Sequence, residues 1–151
     1  IQDRDAYLEY TYACTSTNCQ LVYRICASTV CGNTAVPSGT AMTITLKNNG
    51  STSDSISKAT GSGYTIVSST GGAPANGGTA TLAAGGTWTY NITTSASIPA
   101  GSCIQFAFNN VDPGRSITMT STSAPDGVTS NSTNCSKTAT LSGSVGNIAL
   151  C

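Results

Sequence analysis

Hydrophobic and polar residues alternate with a period of two along most of this sequence. No stretch shows the wider apolar spacing of an amphipathic helix. In the clearest run, Met42, Ile44 and Leu46 share one face, and polar residues occupy the positions between them. Because strand side chains point alternately to the two faces of a sheet, this pattern predicts half-buried β-strands.

Further strands follow at short intervals and are separated by turn sequences such as Asn48-Asn49-Gly50 and Asp112-Pro113-Gly114. The predicted strands include residues 64–67, 79–83, 88–92, 104–108, 117–119, 139–141 and 148–150. No segment has the pattern of the helix that a parallel β-α unit requires. The sequence therefore predicts a single all-β domain, built as an antiparallel β-sandwich or jelly roll.

The first 35 residues differ from the rest and are predicted to form a disulfide-rich N-terminal arm, with the sandwich covering residues 36–151. Within this arm Ala6, Leu8, Tyr10 and Tyr12 alternate with other residues, so the segment can be a strand with one apolar face. Two interpretations stay open. The strand is the first of its own sandwich, or it is donated to a neighbouring copy by strand addition.

Cysteine is abundant for a chain of 151 residues. The seven cysteines are Cys14, Cys19, Cys26, Cys31, Cys103, Cys135 and Cys151. The first four are spaced too loosely for the close ligand pairs of structural zinc sites, and a strand-like segment separates the second from the third. Disulfides in an oxidising compartment are the better interpretation.

Spacing does not determine which cysteines pair. Cys14 with Cys19 and Cys26 with Cys31 would close two small loops, or the four would cross-pair between strands. Cys135 and Cys151 flank the last two predicted strands and would staple the C-terminal region. Since seven is odd, one sulfur lacks an intrachain partner: either Cys14 or Cys151 bridges two chains, or Cys103 is a buried free thiol.

The surface is predicted to be polar but uncharged, because only 8% of residues are charged and the formal net charge is zero. This composition gives no electrostatic basis for binding nucleic acid or an anionic membrane. No apolar stretch is long enough for a membrane-spanning helix. Ile1 is interpreted as the mature terminus left by a cleaved signal peptide, which predicts secretion to the cell surface or beyond.

Candidate catalytic chemistry is sparse. The absence of histidine removes every triad that uses it as the base. Lys47, Lys58 and Lys137 are interpreted as ordinary solvated lysines, and no motif marks a nucleophilic serine. The acidic residues lie mostly in turns or in the arm; they are Asp3, Asp5, Glu9, Asp54, Asp112 and Asp126. We therefore expect no enzyme activity, cofactor or metal site.

Four Asn-x-Ser/Thr triplets are candidate glycosylation sites, at Asn49, Asn91, Asn131 and Asn134. The alternation places Asn91 opposite the face of Trp88 and Tyr90, towards solvent. Ser/Thr-rich loops at residues 51–57 and 121–132 are further candidates for O-linked sugar.

Three segments carry a resemblance to a known family: a strand ending in an Asn-Gly turn (residues 44–50), an apolar-Gly turn feeding an alternating strand (82–90), and a Gly-led strand (99–104). In this order they resemble bacterial immunoglobulin-like modules of the cell-adhesion-related kind. The resemblance implies an immunoglobulin-like sandwich on a cell surface, serving adhesion or scaffolding. The cysteine-rich arm and the terminal cysteine depart from that plan and are more similar to a pilus or fibre subunit.

The leading hypothesis is a structural subunit of an extracellular filament, pilus or surface layer, which binds copies of itself through strand donation, intermolecular disulfides or both. The alternative is a secreted carbohydrate-binding or adhesin module, for which Tyr7, Tyr23 and Tyr64 are the spare aromatic residues. A third, more distant hypothesis is a secreted inhibitor or toxin.

Overall fold

The chain folds entirely into β-strands and connecting turns over the part that the structure describes. The computed structural model describes residues 7–27, 35–123, 134–140 and 146–149, and the side chains of residues 11–27 and 35–120. All strand pairings in these ranges are antiparallel. The all-β antiparallel class predicted from the alternation is confirmed.

One layer is a six-stranded sheet that contains both N-terminal strands. In chain order its members are β1 (Tyr7–Cys14), β2 (Cys19–Cys26), β5 (Asp54–Lys58), β7 (Thr79–Leu82), β10 (Cys103–Val111) and β13 (Gly146–Ala149). Their spatial order is β13-β1-β2-β10-β5-β7. The predicted N-terminal arm therefore contributes β1 and β2 to the same sheet as strands from the second half of the chain.

The opposing layer is a five-stranded sheet. In chain order its members are β4 (Ala41–Asn48), β6 (Tyr64–Thr70), β8 (Thr87–Thr94), β11 (Ser116–Ser123) and β12 (Asn134–Thr140). Their spatial order is β12-β11-β4-β8-β6, so β6 is an edge strand. A small separate pair joins β3 (Ala35–Val36) to β9 (Ile98–Pro99).

The core lies between the two sheets and is rich in aromatic side chains. Phe106 of β10 contacts Tyr90 of β8 edge to face, with ring centroids 4.9 Å apart. Trp88 is fully buried and its ring centroid lies 6.2 Å from that of Phe108. Such pairs across the layers add about 0.5–1.5 kcal/mol each beyond the burial of apolar area. The two sheets therefore form a sandwich around one core.

The burial pattern follows the predicted alternation in β4 and β8, where every second residue is buried. The prediction that residues 51–57 form a loop is wrong in part, because β5 begins at Asp54. Asp54 and Ile56 point into the protein, and β5 pairs with β7 and β10. The sequence of β5 is mostly polar, and its buried residues include two ionisable ones, Asp54 and Lys58. Apolar alternation therefore did not predict this strand.

Candidate functional site

The free side of β6 is the most unusual surface of the described residues. Among the described residues β6 pairs with β8 on one side only, and no described strand pairs with its other side, which presents unpaired backbone groups. Its last four residues are all exposed, and Val67, with 65% of its surface exposed, is the only large hydrophobic residue that is exposed among the described side chains. We call Tyr64–Thr70 the β6 edge.

A β-bulge at Val67 explains its exposure. The pairing with β8 shifts between Ile66 and Ser68, so Val67 has no partner of its own in the ladder. A bulge of this kind changes the direction in which a side chain points. Val67 lies beside Ala41 and Thr93 in a shallow depression on the outer face of the five-stranded sheet.

A buried polar cluster holds the beginning of the β6 edge. The Lys58 ammonium is fully buried and donates hydrogen bonds to the Ala59 carbonyl (2.6 Å), the Tyr64 hydroxyl (2.7 Å) and Asn76 Oδ1 (2.9 Å). Its Nζ also lies 4.2 Å from the centroid of the Phe106 ring, within cation–π range. Because Lys58 belongs to one sheet and Tyr64 to the other, the cluster joins the two layers at this edge.

Burial changes the acid–base behaviour of this cluster. It lowers the pKa of Lys58 to about 8, because the ammonium has lost most of its hydration. Burial also raises the pKa of Tyr64 to about 12, opposed in part by the hydrogen bond between its hydroxyl and Asn76. The prediction that Lys58 is an ordinary solvated lysine is wrong, because its side chain is fully buried. Sequence periodicity gave no sign of its partners, which lie up to 48 positions away along the chain.

Two contacts fix the end of the β6 edge and the loop that follows. Gly71 has a φ of 78°, and a Cβ placed on it would collide with the Thr87 carbonyl oxygen. Further along, the Tyr90 hydroxyl donates to the Pro74 carbonyl at 2.6 Å. The β6 edge is thus held at both ends, although its side chains from Val67 to Thr70 are exposed.

The two described disulfides lie in the six-stranded sheet. Cys14–Cys19 closes the turn between β1 and β2, and Cys26–Cys103 joins β2 to β10. In both cases the cysteines stand directly opposite each other in the register, with Cα atoms 4.0 Å apart. Register across neighbouring strands, not proximity in sequence, therefore decides the pairing of Cys26.

These pairings correct several expectations. Cys103 is not a buried free thiol, Cys26 does not pair with Cys31, and Cys14 is not the chain-bridging residue, because each is already bonded to another partner. A zinc site built from the first four cysteines is excluded for the same reason. Within the described residues, no group of three or more potential metal ligands is present.

Three cysteines of the sequence remain. Cys135 lies in β12, where its backbone is opposite Ser121 of β11. Cys31 and Cys151 lie outside the described residues. Because three is odd, these sulfurs cannot all be satisfied by pairing with one another.

The predicted assembly strand lies within the chain's own sheet. β1 pairs with β2 on one side and with β13 on the other. Tyr12 packs against the core. The backbones of Leu8 and Tyr10 pair with β2, and Ala6 lies outside the described residues. Donation of this strand to a neighbouring copy stays a prediction.

The aromatic residues named for sugar stacking are largely inaccessible. Tyr23 is fully buried, and its hydroxyl donates to the Thr45 carbonyl at 2.5 Å. Tyr64 is buried in the polar cluster, and the side chain of Tyr7 lies outside the described set. The described side chains therefore provide no exposed aromatic platform of the kind that stacks on a sugar ring.

Among the acidic residues, Asp54 and Asp112 lie together, a neighbourhood the sequence did not indicate. Asp54 Oδ2 accepts the Asp112 backbone N–H at 2.9 Å and lies 3.6 Å from Arg115 Nε, while Arg115 Nη2 lies 3.0 Å from Asp112 Oδ2. Burial is the main cause of the raised pKa of Asp54. The cluster ties β5 to the turn before β11.

Asp3, Asp5 and Asp126 lie outside the described residues, and Glu9 is described by its backbone pairing alone.

The described glycosylation candidates differ in accessibility. Asn49 is exposed, and its amide nitrogen donates to Thr118 Oγ1 at 2.7 Å. Asn91 is half-buried: its Nδ2 donates to Ser68 Oγ at 3.0 Å and its Oδ1 accepts from Thr43. Asn134 begins β12, and Asn131 lies outside the described residues. Glycosylation stays a prediction.

The sequence matches no known protein-family model and no curated protein. In the part of the chain that the structure describes, no helix is long and apolar enough to cross a membrane. The two disulfides are compatible with an extracellular location. The features that bear on function are therefore the disulfide framework, the low content of charged residues and the β6 edge.

Proposed function

We propose that this protein is a structural subunit of an extracellular filament, pilus or surface layer that assembles from copies of itself. The observation that carries the proposal is the cysteine balance. Four cysteines form two intrachain disulfides, and three remain, so at least one sulfur of this sequence has no cysteine partner within it. In an oxidising compartment an unpaired sulfur of this kind favours a bridge between chains.

The charge distribution supports association between identical chains. The segment from Ala59 to Val111, which includes β6 to β10, contains no Asp, Glu, Lys or Arg. Identical surfaces that meet in a polymer bring like charges together, and this segment has none to repel. An overall charge of zero removes the long-range repulsion between subunits as well.

Of the two assembly routes, intermolecular disulfides have more support than donation of β1. If β1 left its sheet, β2 would lose a neighbour with which it is paired along eight positions, from Tyr7–Cys26 to Cys14–Cys19. The Cys14–Cys19 disulfide also tethers β1 to β2. Donation would therefore expose the backbone of β2 while the strand stayed covalently attached to it.

The proposed role is non-catalytic, and the subunit is proposed to be secreted through a cleaved signal peptide. A carbohydrate-binding or adhesin module is the alternative, with glycans as its partners. Burial of Tyr23 and Tyr64 removes two of its three proposed stacking residues, so no described contact favours it. A glycan array on the folded protein tests this alternative directly.

The proposal is tested on protein secreted into an oxidising compartment. Non-reducing gels should show a covalent dimer or a longer ladder that collapses to one band with reductant, and electron microscopy should show fibres or sheets. Intact mass spectrometry of the unreduced material identifies the bridge. Serine variants of Cys31, Cys135 and Cys151, made one at a time, should include one that removes the covalent species. A single monomer band in both lanes, together with no fibres, contradicts the proposal.

A further inference from the structure

The β6 edge lacks most of the devices that keep edge strands apart. Folded proteins protect such strands by shortening them or by adding charge, proline or a bulge. β6 has seven residues and contains neither a charged residue nor proline. By contrast, the two described edge strands of the other sheet, β7 and β13, have only four residues each. The bulge at Val67 is the one protective feature, and it turns an apolar side chain outward.

A homopolymer whose chains are linked through a single bridging cysteine needs a contact beyond the disulfide. One unpaired sulfur forms one bond, so a chain with a single bridging cysteine stops at a covalent dimer. A bridge between the same cysteine of two chains is a two-fold contact, and a second, different two-fold contact is required to extend the dimer into an open array.

We propose that the β6 edge supplies this second contact by pairing antiparallel with the β6 edge of another copy, which joins two five-stranded sheets into one continuous sheet. This inference rests on the proposed function, since it names the surface through which that assembly extends. The partner is a second copy of this chain, held by backbone hydrogen bonds along the two edges and by side chains on either face.

Self-pairing suits the sequence of this strand. In a two-fold antiparallel pair, each strand meets its own sequence, so a charged residue near the axis would face its like-charged copy. β6 presents hydroxyl groups at Thr65, Ser68, Ser69 and Thr70 instead. Cross-strand pairs of threonine and serine are stabilising. Val67 adds apolar area at the centre of the strand, next to the depression beside Ala41.

The test places charge on the β6 edge and compares it with the same charge elsewhere. In the variant V67K/S69K, four lysines meet at a β6–β6 contact, while the fold should persist because both residues are exposed. The matched control, T81K/A83K, adds two exposed lysines at and beside β7, an edge strand of the six-stranded sheet. Circular dichroism and the unfolding midpoint verify that both variants fold.

Association is first measured under conditions that reduce the interchain bridge, by sedimentation velocity over a range of protein concentrations. The wild type and T81K/A83K should dimerise, and V67K/S69K should raise the dissociation constant at least about tenfold. Amide hydrogen exchange of Tyr64–Thr70 should slow as the dimer forms. A reduced wild type that stays monomeric, or protection that appears at a different edge strand, overturns the inference.

Under oxidising conditions the same proteins separate this inference from the proposed function. We expect extended assemblies from the wild type and the control, and only disulfide-linked dimers from V67K/S69K. If V67K/S69K still forms fibres, the subunit assembles by another surface and the β6 contact is wrong. If even the wild type forms neither covalent species nor fibres, the proposed function fails.

Discussion

Three neutral oxygens and an aromatic ring surround the Lys58 ammonium at the beginning of the β6 edge. They satisfy all three N–H donors of the ammonium group, so the buried charge is hydrogen-bonded. They do not neutralise it, and its desolvation is only partly offset. Lys58 therefore positions Tyr64 and Asn76 at a cost in stability that depends on whether its amine is protonated.

That cost predicts a stability that rises with pH above neutrality. The pKa of Lys58 is about 8 in the folded chain and about 10.5 when unfolded, so the unfolded state binds more protons between these values. Protonation thus destabilises the fold below about pH 8, and the penalty is relieved as pH rises. Between about pH 7 and 9.5, the unfolding free energy should increase by about 2 kcal/mol.

Denaturant titrations across this range check the prediction, with K58M as the variant and K47M, at an exposed lysine, as its control. K58M should remove the rise, and K47M should retain it. Above about pH 10 the trend should reverse, because the raised pKa of Tyr64 means that the unfolded state ionises first. A wild-type curve that is flat between pH 7 and 9.5 would show that Lys58 stays fully hydrated.

At the scale of the element, the turn that ends β6 decides how the edge is presented. Gly71 and Gly72 both have a φ of 78°, so alanine is conformationally unfavourable at either position by about 1–2 kcal/mol. They differ in their surroundings. A Cβ at Gly71 would meet the Thr87 carbonyl oxygen, whereas a Cβ at Gly72 has no atom within 4 Å.

G71A should therefore destabilise the protein by about 3 kcal/mol or more, and G72A by about 1 kcal/mol. The difference isolates the close approach of two backbone segments from the shared backbone strain. Thermal unfolding and denaturant midpoints of the two variants provide the measurement. Equal losses of stability would mean that β6 and β8 can separate at this point without cost.

The alternation of apolar and polar residues predicted some strands of this fold and missed another. Period-two alternation was sufficient for β4, β8 and β10, because most of their buried positions carry aliphatic or aromatic residues. It failed for β5, whose buried positions carry Asp54, Ile56 and Lys58. Burial of those two ionisable groups depends on residues distant in sequence, and so did the pairing of Cys26 with Cys103. Only residues 64–67 of β6 were predicted as strand, and the position of β6 at the sheet edge follows only from strand order.

At the scale of the whole molecule, two covalent links constrain the six-stranded sheet very differently. The Cys26–Cys103 bond spans 77 positions and joins β2 to β10 near the middle of the sheet. The Cys14–Cys19 bond spans five positions and closes a single turn. A disulfide stabilises mainly by restricting the unfolded chain, and this restriction grows with the length of the loop that it closes.

Loop entropy then predicts a ranking of the two bonds. Replacing both Cys26 and Cys103 with alanine should lower the unfolding free energy by about 4.5 kcal/mol, and replacing Cys14 and Cys19 by about 2 kcal/mol. Denaturant unfolding without reductant measures both. The comparison also separates folding from assembly, because neither pair is the proposed bridge between chains. If loss of the Cys14–Cys19 bond lowers the unfolding free energy more than loss of Cys26–Cys103, loop length does not determine the ranking. The β1–β2 turn then depends on the Cys14–Cys19 bond for its native conformation.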